Sequence, residues 1–181
     1  MKKLFSNKGK YEKKKPPYLK IVLILVICIA LAAVVLLNLF THVFSVVQYY
    51  GESMLPELQD RQYLVVRKTD KVEQGDLVAF YYNNNILVRR VIAAGGSTVE
   101  IDEAGKVRVD GKELKEDYVK EPSVGQCNIT FPHTVGHEEF FVMGDNRAVA
   151  MDSRLQEIGT IPKNRIIGKV LFSFGSCKEI W

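Results

Sequence analysis

Residues that bind metals or form disulfides are scarce in this chain. Its 181 residues include three histidines and three cysteines. His133 and His137 are four residues apart, but Phe131 and Pro132 precede them and disfavour a helix that would place both on one face. We therefore predict that both histidines lie in a loop, and that the protein uses no metal and no cofactor.

The three cysteines constrain the redox chemistry of the protein only loosely. Cys28 lies inside a long apolar run and is interpreted as a small apolar side chain. Cys127 and Cys177 follow that run, in a part of the chain where a disulfide is permitted if it lies outside the cytoplasm. The sequence leaves open whether these two residues pair or remain thiols.

The chain also lacks a long amphipathic helix and an internal repeat. Short segments rich in β-branched and aromatic residues instead predict strands at 64–66, 77–82, 86–92, 99–101, 107–109, 139–143 and 165–174. The pair Asp110-Gly111 predicts a tight hairpin turn. Because no helix interrupts these strands, we predict a mainly β domain built from antiparallel sheets.

One long apolar run follows a basic tail. Residues 1–20 carry eight lysines and one acidic residue, whereas the rest of the chain carries 17 basic and 20 acidic residues. Residues 21–37 include no polar side chain, and a helix of this length and composition is able to span a bilayer. Because the lysines lie on its N-terminal side, we predict a basic cytoplasmic tail at 1–20, a transmembrane anchor at 21–42 and an extracytoplasmic domain at 43–181.

Two alternatives to this anchor agree less well with the sequence. A cleaved signal peptide would have a shorter apolar region followed by small residues, but Ala30, Leu31 and Ala32 lie in the middle of the run. A buried core helix would be shorter and would lack the lysines. Because the lysines adjoin the apolar run, we predict contact with membrane lipid and no binding of nucleic acid. Tyr49 and Tyr50 are expected at the lipid headgroups.

The segment Gly-Glu-Ser-Met-Leu-Pro at 51–56 follows the anchor closely. Gly51 allows the backbone to approach a ligand, and Pro56 fixes the exit of the turn. We therefore predict that Ser53 is a nucleophile held in one orientation. A polar turn between two strands is the alternative, and the motif alone does not exclude it.

Charged side chains interrupt the apolar pattern at two further places. Arg89 and Arg90 lie within the predicted strand 86–92, where alternation sends them to opposite faces, so one is expected to point inward. Acidic residues and arginines also alternate between 144 and 154. There, buried or half-buried charge pairs are expected to fix a loop, a solvated turn being the alternative. The residues concerned are Asp145, Arg147, Asp152 and Arg154.

These features, taken in order, resemble the type I signal peptidases of bacteria. They are the anchor, Gly-x-Ser-Met-x-Pro, Gly-Asp before a strand, the strand Val-Arg-Arg-Val-Ile, and Gly-Asp-Asn-Arg with Asp-Ser-Arg. The resemblance covers residues 10–181. It implies a membrane-tethered Ser/Lys endopeptidase that removes signal peptides after a small-x-small motif. It also implies a β-rich domain that docks precursor proteins as an extended strand, and secretion or surface-assembly machinery is a further candidate partner.

The resemblance also assigns roles to single residues. Ser53 matches the nucleophile, whose own N–H would donate to the oxyanion of the reaction. Gly51 matches a position that holds glycine or a serine whose hydroxyl also donates to that oxyanion. Met54 and Pro56 match residues that shape the strand beside the nucleophile. The four charged residues between 145 and 154 match structural charge pairs near the site.

Two positions depart from the family pattern. Arg89 replaces the lysine that acts as general base, and arginine stays protonated in proteins, whereas a buried lysine is able to lose its proton near neutral pH. Ala150 replaces a serine that hydrogen-bonds that lysine, and its small side chain would leave room for a guanidinium. We still assign Arg89 to the catalytic site together with Ser53.

Three functions are compatible with this pattern. In the first, an active signal peptidase deprotonates Ser53 through another group. The candidates are Lys68, His133, His137 and a water held by Arg89. In the second, a catalytically impaired homologue binds secreted or surface proteins and assists their assembly. The third, a self-cleaving repressor, is excluded because an anchor stands where a DNA-binding module would be. Retention of the serine motif favours the enzyme.

Overall fold

The computed structural model describes residues 17–175. The chain divides into two compact units, Met1–Phe40 and Thr41–Trp181. Most of the lysine-rich tail lies outside the described residues. Cys177 lies outside them too, so the alternatives of a disulfide to Cys127 and two thiols both stay open.

A single long helix, α1, forms the described part of the first unit and continues to Val43. It spans Pro17–Val43, and its 27 residues extend about 40 Å at the usual rise per residue. Its most apolar stretch has a mean hydropathy of 3.2, and its side chains from Tyr18 onward are exposed. Asn38 Nδ2 donates to the Val34 carbonyl at 2.9 Å, so this amide has a partner within the helix. By length and composition, α1 is able to cross a membrane, which fits the predicted anchoring.

Strands are the main regular secondary structure of the second unit. The described strands are β1 (Phe44–Gln48), β2 (Tyr63–Lys68), β3 (Leu77–Tyr82), β4 (Asn85–Ala94), β5 (Thr98–Ile101), β6 (Val107–Val109), β7 (Lys112–Glu113), β8 (His133–Thr134), β9 (Glu139–Met143), β10 (Ile161–Pro162) and β11 (Ile166–Phe174). They form a seven-stranded sheet, in the order β1-β2-β11-β3-β4-β9-β10, and a four-stranded sheet, β7-β6-β5-β8. All neighbouring strands are antiparallel, so the predicted fold class is confirmed.

All seven predicted strands are present, and four more are additional. β1, β7, β8 and β10 lie at or near sheet edges, and three of them have only two residues, too few for an alternating pattern. The prediction that His133 lies in a loop is therefore wrong, because His133 pairs with Val99 of β5. His137 lies in the turn before β9, as predicted. A 3₁₀ turn, Lys163–Arg165, delays the start of β11 to Ile166.

β4 carries both arginines of the segment 86–92, and it is buried on both faces from Val88 to Ala93. It contributes to three apolar clusters, through Val88, Val91 and Ile92. Arg89 and Arg90 are consequently both buried. The expectation that only one arginine points inward is wrong, because alternation along β4 distributes side chains between two buried environments, not between a core and solvent.

The loop from Gly144 to Arg154 packs closely against the backbone of Ser53. Asn146 N–H donates to the Ser53 carbonyl at 3.0 Å. A Cβ at position 144 would overlap that carbonyl and the Cβ of Ala150, so only glycine permits this approach. The chain segment around Ser53 is therefore positioned from outside by this second loop.

A buried ion pair stabilises one conformation of the second loop, the segment from Gly144 to Arg154. Arg154 donates from Nε and Nη2 to the two carboxylate oxygens of Asp152, each at 2.8 Å, and both side chains are fully buried. Asp152 Oδ2 also accepts the Gly144 N–H at 2.9 Å. The Asp152 carboxylate thus links both ends of the loop.

Asp152→Asn is expected to destabilise the protein strongly. The substitution keeps the side-chain shape but leaves the Arg154 charge buried without a counter-charge, which typically costs about 3–5 kcal/mol. Thermal unfolding in detergent would show this as a fall of about 10 °C in the midpoint. Asp117→Asn is the control, because Asp117 and Lys115 form an ion pair at 2.8 Å with side chains 75% and 85% exposed. Equal midpoints for the two variants would contradict this prediction.

Candidate active site

Ser53 lies in the connection between β1 and β2, in a run of tight turns. Gly51 has φ +99°, a left-handed conformation that favours glycine, and its N–H donates to Asp60 Oδ1 at 2.7 Å. Met54 is fully buried, and its carbonyl accepts the Leu58 N–H at 2.9 Å. The connection is therefore fixed on both sides of Ser53.

Two side chains contact the Ser53 hydroxyl. Arg89 Nη1 donates to Ser53 Oγ at 2.9 Å, and Tyr49 Oη lies 3.0 Å from the same oxygen. The Ser53 carbonyl accepts from Asn146, whereas the Ser53 N–H has no protein acceptor among residues 17–175. A hydroxyl with a donor on its oxygen and an available backbone N–H beside it is an arrangement that suits a nucleophile with an oxyanion site.

Arg89 is held in place by backbone carbonyls. Its Nε and Nη2 donate to the Met151 carbonyl at 3.0 and 2.7 Å, and Nη1 also donates to the Val88 carbonyl at 2.6 Å. Burial lowers the pKa of Arg89, and the charge of Asp152 acts in the opposite direction. A guanidinium nevertheless remains protonated in proteins, so Arg89 donates to Ser53 and does not accept its proton.

Tyr49 is a site residue that the sequence did not reveal. The expectation that it lies at the lipid headgroups is wrong: its side chain is 4% exposed, and its Oη accepts the Met54 N–H at 3.0 Å. Only Tyr50 is exposed. The reason is that the chain turns into the core after β1. Val47, an apolar residue two positions earlier on the same face of β1, is partly buried against the apolar cluster that contains Tyr49.

The cleft beside Ser53 has a volume of about 500 Å³ and is lined mainly by apolar side chains. Its lining includes Gly51, Ser53, Arg89, Leu87, Tyr82, Val149, Met151 and Ile158. Val149 and Met151 are half exposed at its rim. A second cavity of about 350 Å³ is lined by Leu55, Pro56, Lys120, Glu121, Asp145, Asn146 and Ala148. Both cavities adjoin the segment 51–56, so an extended ligand would reach Ser53 from either.

None of the side chains proposed as bases contacts Ser53. Lys68 Nζ donates to the Thr41 carbonyl at 2.8 Å. The ring of His133 packs against Phe141, with ring centroids 5.7 Å apart, in the region of the small sheet. Neither these residues nor His137 is among the hydrogen-bond partners of Ser53 Oγ within residues 17–175. In the same range, no group of three or more His, Cys, Asp or Glu side chains is placed to hold a metal ion.

Two of the four charged residues in the second loop pair with residues outside it. Asp145 accepts from Arg90 Nε and Nη2 at 2.8 and 2.6 Å. Arg147 donates to both carboxylate oxygens of Glu116 at 3.0 and 2.6 Å. The ion pair between Arg147 and Glu116 therefore joins the segment 116–118 to the loop. The alternation of acidic residues and arginines within the loop did not predict this contact.

Tyr118 strengthens this connection. Its ring lies under the Arg90 guanidinium at 4.0 Å, and its hydroxyl donates to Glu116 Oε1 at 2.9 Å. Burial raises the pKa of Tyr118, and the neighbouring carboxylate adds to the effect, so the phenol stays protonated as a donor. The aromatic ring and the carboxylate together join Arg90 to Arg147.

Ala150 is fully buried beside Gly144. Its methyl group offers no hydrogen bond to Arg89, and its carbonyl accepts from Arg154 Nη2 at 3.4 Å. The idea that the small side chain makes room for the Arg89 guanidinium remains a hypothesis. Met151, the next residue, supplies the carbonyl that Arg89 uses instead.

Comparison with known proteins identifies the family to which the chain belongs. A model of the family described as signal peptidase, peptidase S26, matches residues 19–175. A signal peptidase I of Enterococcus faecalis has a crystal structure that aligns with 56% of this chain and 97% of its own, at 29% identity and a TM-score of 0.47. A signal peptidase I of Bacillus amyloliquefaciens is 31% identical over 182 residues, 94% of this chain and 97% of the relative. Signal peptidase IB of Staphylococcus aureus is 32% identical over 174 residues, 85% and 90% of the two chains. The family match and the two curated relatives show that this chain belongs to the signal peptidase family, peptidase S26.

Proposed function

We propose that this chain is a membrane-anchored serine endopeptidase that removes N-terminal signal peptides from exported precursors, cutting after a small-x-small motif. The observation that carries the proposal is the position of Ser53 Oγ, in an open cleft and 2.9 Å from Arg89 Nη1. Membership of the signal peptidase family supports this class of substrate.

The Ser53 hydroxyl, the Ser53 N–H and the Arg89 guanidinium each have a use in such a reaction. Ser53 Oγ would attack the carbonyl carbon of the scissile bond, and the Ser53 N–H would donate to the oxygen that becomes negative. Arg89 Nη1 donates to Oγ, and its positive charge lowers the energy of the anion as the hydroxyl proton leaves. Arg89 therefore orients the nucleophile and stabilises charge.

The lining of the cleft fits the proposed substrates. Leu87, Val149, Met151 and Ile158 give it an apolar surface. The lining also contains polar side chains, among them Glu52, Asn85 and Arg89. Against the apolar remainder, a charged side chain would lose its hydration, whereas a small apolar one would not. An apolar cleft beside the nucleophile is thus compatible with cleavage after small residues.

The proposal includes a membrane arrangement. We place a cytoplasmic tail at 1–20, the anchor at 21–42 and the catalytic domain at 43–181 outside the cytoplasm, because the lysines lie before the apolar run. A nucleophile ten residues after the end of α1 suits substrates that are themselves inserted in the membrane through a signal helix. Secretion or surface-assembly machinery would be a partner of the same compartment.

A second candidate function is binding without cleavage. The observation in its favour is that Arg89 is a permanent donor to Ser53 Oγ, at the position where the family resemblance implies a base, while Ala150 offers no hydroxyl. Such a protein would hold secreted or surface proteins in the same cleft and assist their assembly. The tight placement of Ser53 favours the enzyme.

Replacing the nucleophile separates the two functions. The detergent-solubilised full chain is expected to cleave a signal-peptide precursor, and Ser53→Ala is expected to lower the rate by about 10³-fold or more, because no covalent intermediate forms. Product formation is followed by mass spectrometry. Ser97→Ala, a serine in the turn after β4, is the control and should retain activity. Equal, negligible cleavage by the wild type and Ser53→Ala would rule out the enzyme.

Restoring a titratable amine tests the role of position 89. The double variant Arg89→Lys, Ala150→Ser is expected to cleave at least about tenfold faster than the wild type, because a buried amine is able to act as base and the hydroxyl would orient it. Its rate should rise with pH as the amine loses its proton. Arg89→Lys with Ala148→Ser is the matched control, since Ala148 is exposed. A slower double variant would contradict this prediction.

A further inference from the structure

The hydroxyl of Tyr49 lies on the nucleophile and has no role in the reaction described above. It is 3.0 Å from Ser53 Oγ, and either oxygen is able to donate in this pair. The other partner, Arg89 Nη1, can only donate. Among the described residues, Tyr49 Oη is therefore the one protein group on Ser53 Oγ that is able to accept its proton.

Tyr49 is held firmly in this position. Its Oη accepts the Met54 N–H at 3.0 Å, a hydrogen bond that becomes stronger when the acceptor is an anion. Its ring belongs to a buried apolar cluster, so it has little freedom to rotate away. The other buried members of that cluster are Met54, Leu58, Leu64, Val66, Ala79, Val88 and Val170.

One charged side chain faces the Tyr49 hydroxyl across Ser53 Oγ. The ring itself is packed against apolar residues, and the charged group that shares Ser53 Oγ with its hydroxyl is Arg89 of β4. Burial lowers the pKa of Arg89, whereas the charges of Asp152 and of ionised Tyr49 raise it and that of Arg154 lowers it.

We propose that Tyr49, in its phenolate form, is the general base that deprotonates Ser53, and that Arg89 stabilises this phenolate and the resulting Ser53 anion. The inference rests on the proposed peptidase function. It gives the site a proton acceptor that neither Arg89 nor Ala150 supplies.

The proton balance of the reaction closes with these groups. As Ser53 Oγ forms a bond to the scissile carbonyl carbon, its proton moves to Tyr49 Oη. When the C–N bond breaks, Tyr49 returns that proton to the leaving amine and becomes a phenolate again. Water then attacks the acyl-enzyme and gives its proton to Tyr49, and Tyr49 protonates Ser53 Oγ as the carboxylic acid leaves. Because only the phenolate form is able to accept the proton, the rate should rise with pH as the phenol ionises.

Removal of the Tyr49 hydroxyl tests the proposal in two backgrounds. In the wild-type full chain, Tyr49→Phe is expected to lower kcat/KM for a signal-peptide precursor by about 100-fold or more, the usual contribution of a positioned base. In the Arg89→Lys, Ala150→Ser background, the same substitution should have little effect, because the amine takes over. Tyr50→Phe is the control, since Tyr50 is 67% exposed and its hydroxyl contacts Gln48. It should be as active as the wild type.

The outcomes distinguish this inference from the proposed function. If the wild type cleaves and Ser53→Ala does not, the peptidase function stands, and full activity of Tyr49→Phe would overturn the role of Tyr49 alone. Equal losses in both backgrounds would also overturn it, because they would indicate a purely structural role. If the wild type and Ser53→Ala are equally inactive, both proposals fail.

A second measurement does not depend on the amine background. Replacement of Tyr49 by 3,5-difluorotyrosine, introduced by stop-codon suppression, makes the phenol more acidic with little change in size. The acidic limb of the kcat/KM profile should move to lower pH, whereas the same replacement at Tyr50 should leave it in place. An unmoved limb in the Tyr49 protein would contradict the assignment, even if Tyr49→Phe is inactive.

Discussion

A buried guanidinium hydrogen-bonded to the Ser53 hydroxyl is the interaction on which the rest of the candidate site depends. Arg89 distributes its donors over the carbonyls of Val88 and Met151 and the hydroxyl of Ser53. A buried charge that loses its partners typically costs several kcal/mol, so the backbone that supplies these acceptors has little freedom to move away from β4. Two separate loops, one carrying Ser53 and one carrying Met151, are thereby held to the same strand. Arg89 therefore fixes the position of the Ser53 hydroxyl, although its guanidinium cannot accept a proton from that hydroxyl.

Further buried charges extend this constraint outward from β4. Arg90 reaches Asp145, and the pair between Asp152 and Arg154 closes the loop that contains it. Buried ion pairs add little net stability relative to apolar packing, but they are costly to break and therefore fix one arrangement of the chain. Gly144 completes this frame, because the absence of a side chain lets the loop lie directly against Ser53. The backbone of Ser53 is thus positioned by a loop whose buried charged side chains are paired.

Local patterns predicted the strands and the serine motif, and tertiary contacts account for most of what they missed. Alternation and β-branched content identify segments such as β3 and β9 because each has several consecutive residues with a repeating environment. The two-residue strands have no such pattern and exist only through pairing with a neighbour. Glu116 and Tyr49 were missed for a related reason. The position of Glu116 depends on Arg147, which is distant in sequence, and that of Tyr49 depends on the turn of the chain into the core. Neither residue belongs to a recognisable sequence motif.

With the proposed role of Tyr49, the hydrogen bonds at Ser53 would allow one geometry to serve an idle and a reactive state. While the Tyr49 phenol is protonated, it and Arg89 are both able to donate to Ser53 Oγ. These two hydrogen bonds would occupy the lone pairs that Ser53 Oγ needs for attack. Once the phenol is ionised, its oxygen becomes an acceptor, and the Ser53 proton points toward it instead. Arg89 continues to donate, so the developing alkoxide keeps one charge-assisted hydrogen bond throughout. A lysine base combines the proton acceptor and the cation in one side chain, whereas here a phenol and a guanidinium would divide the two tasks between them.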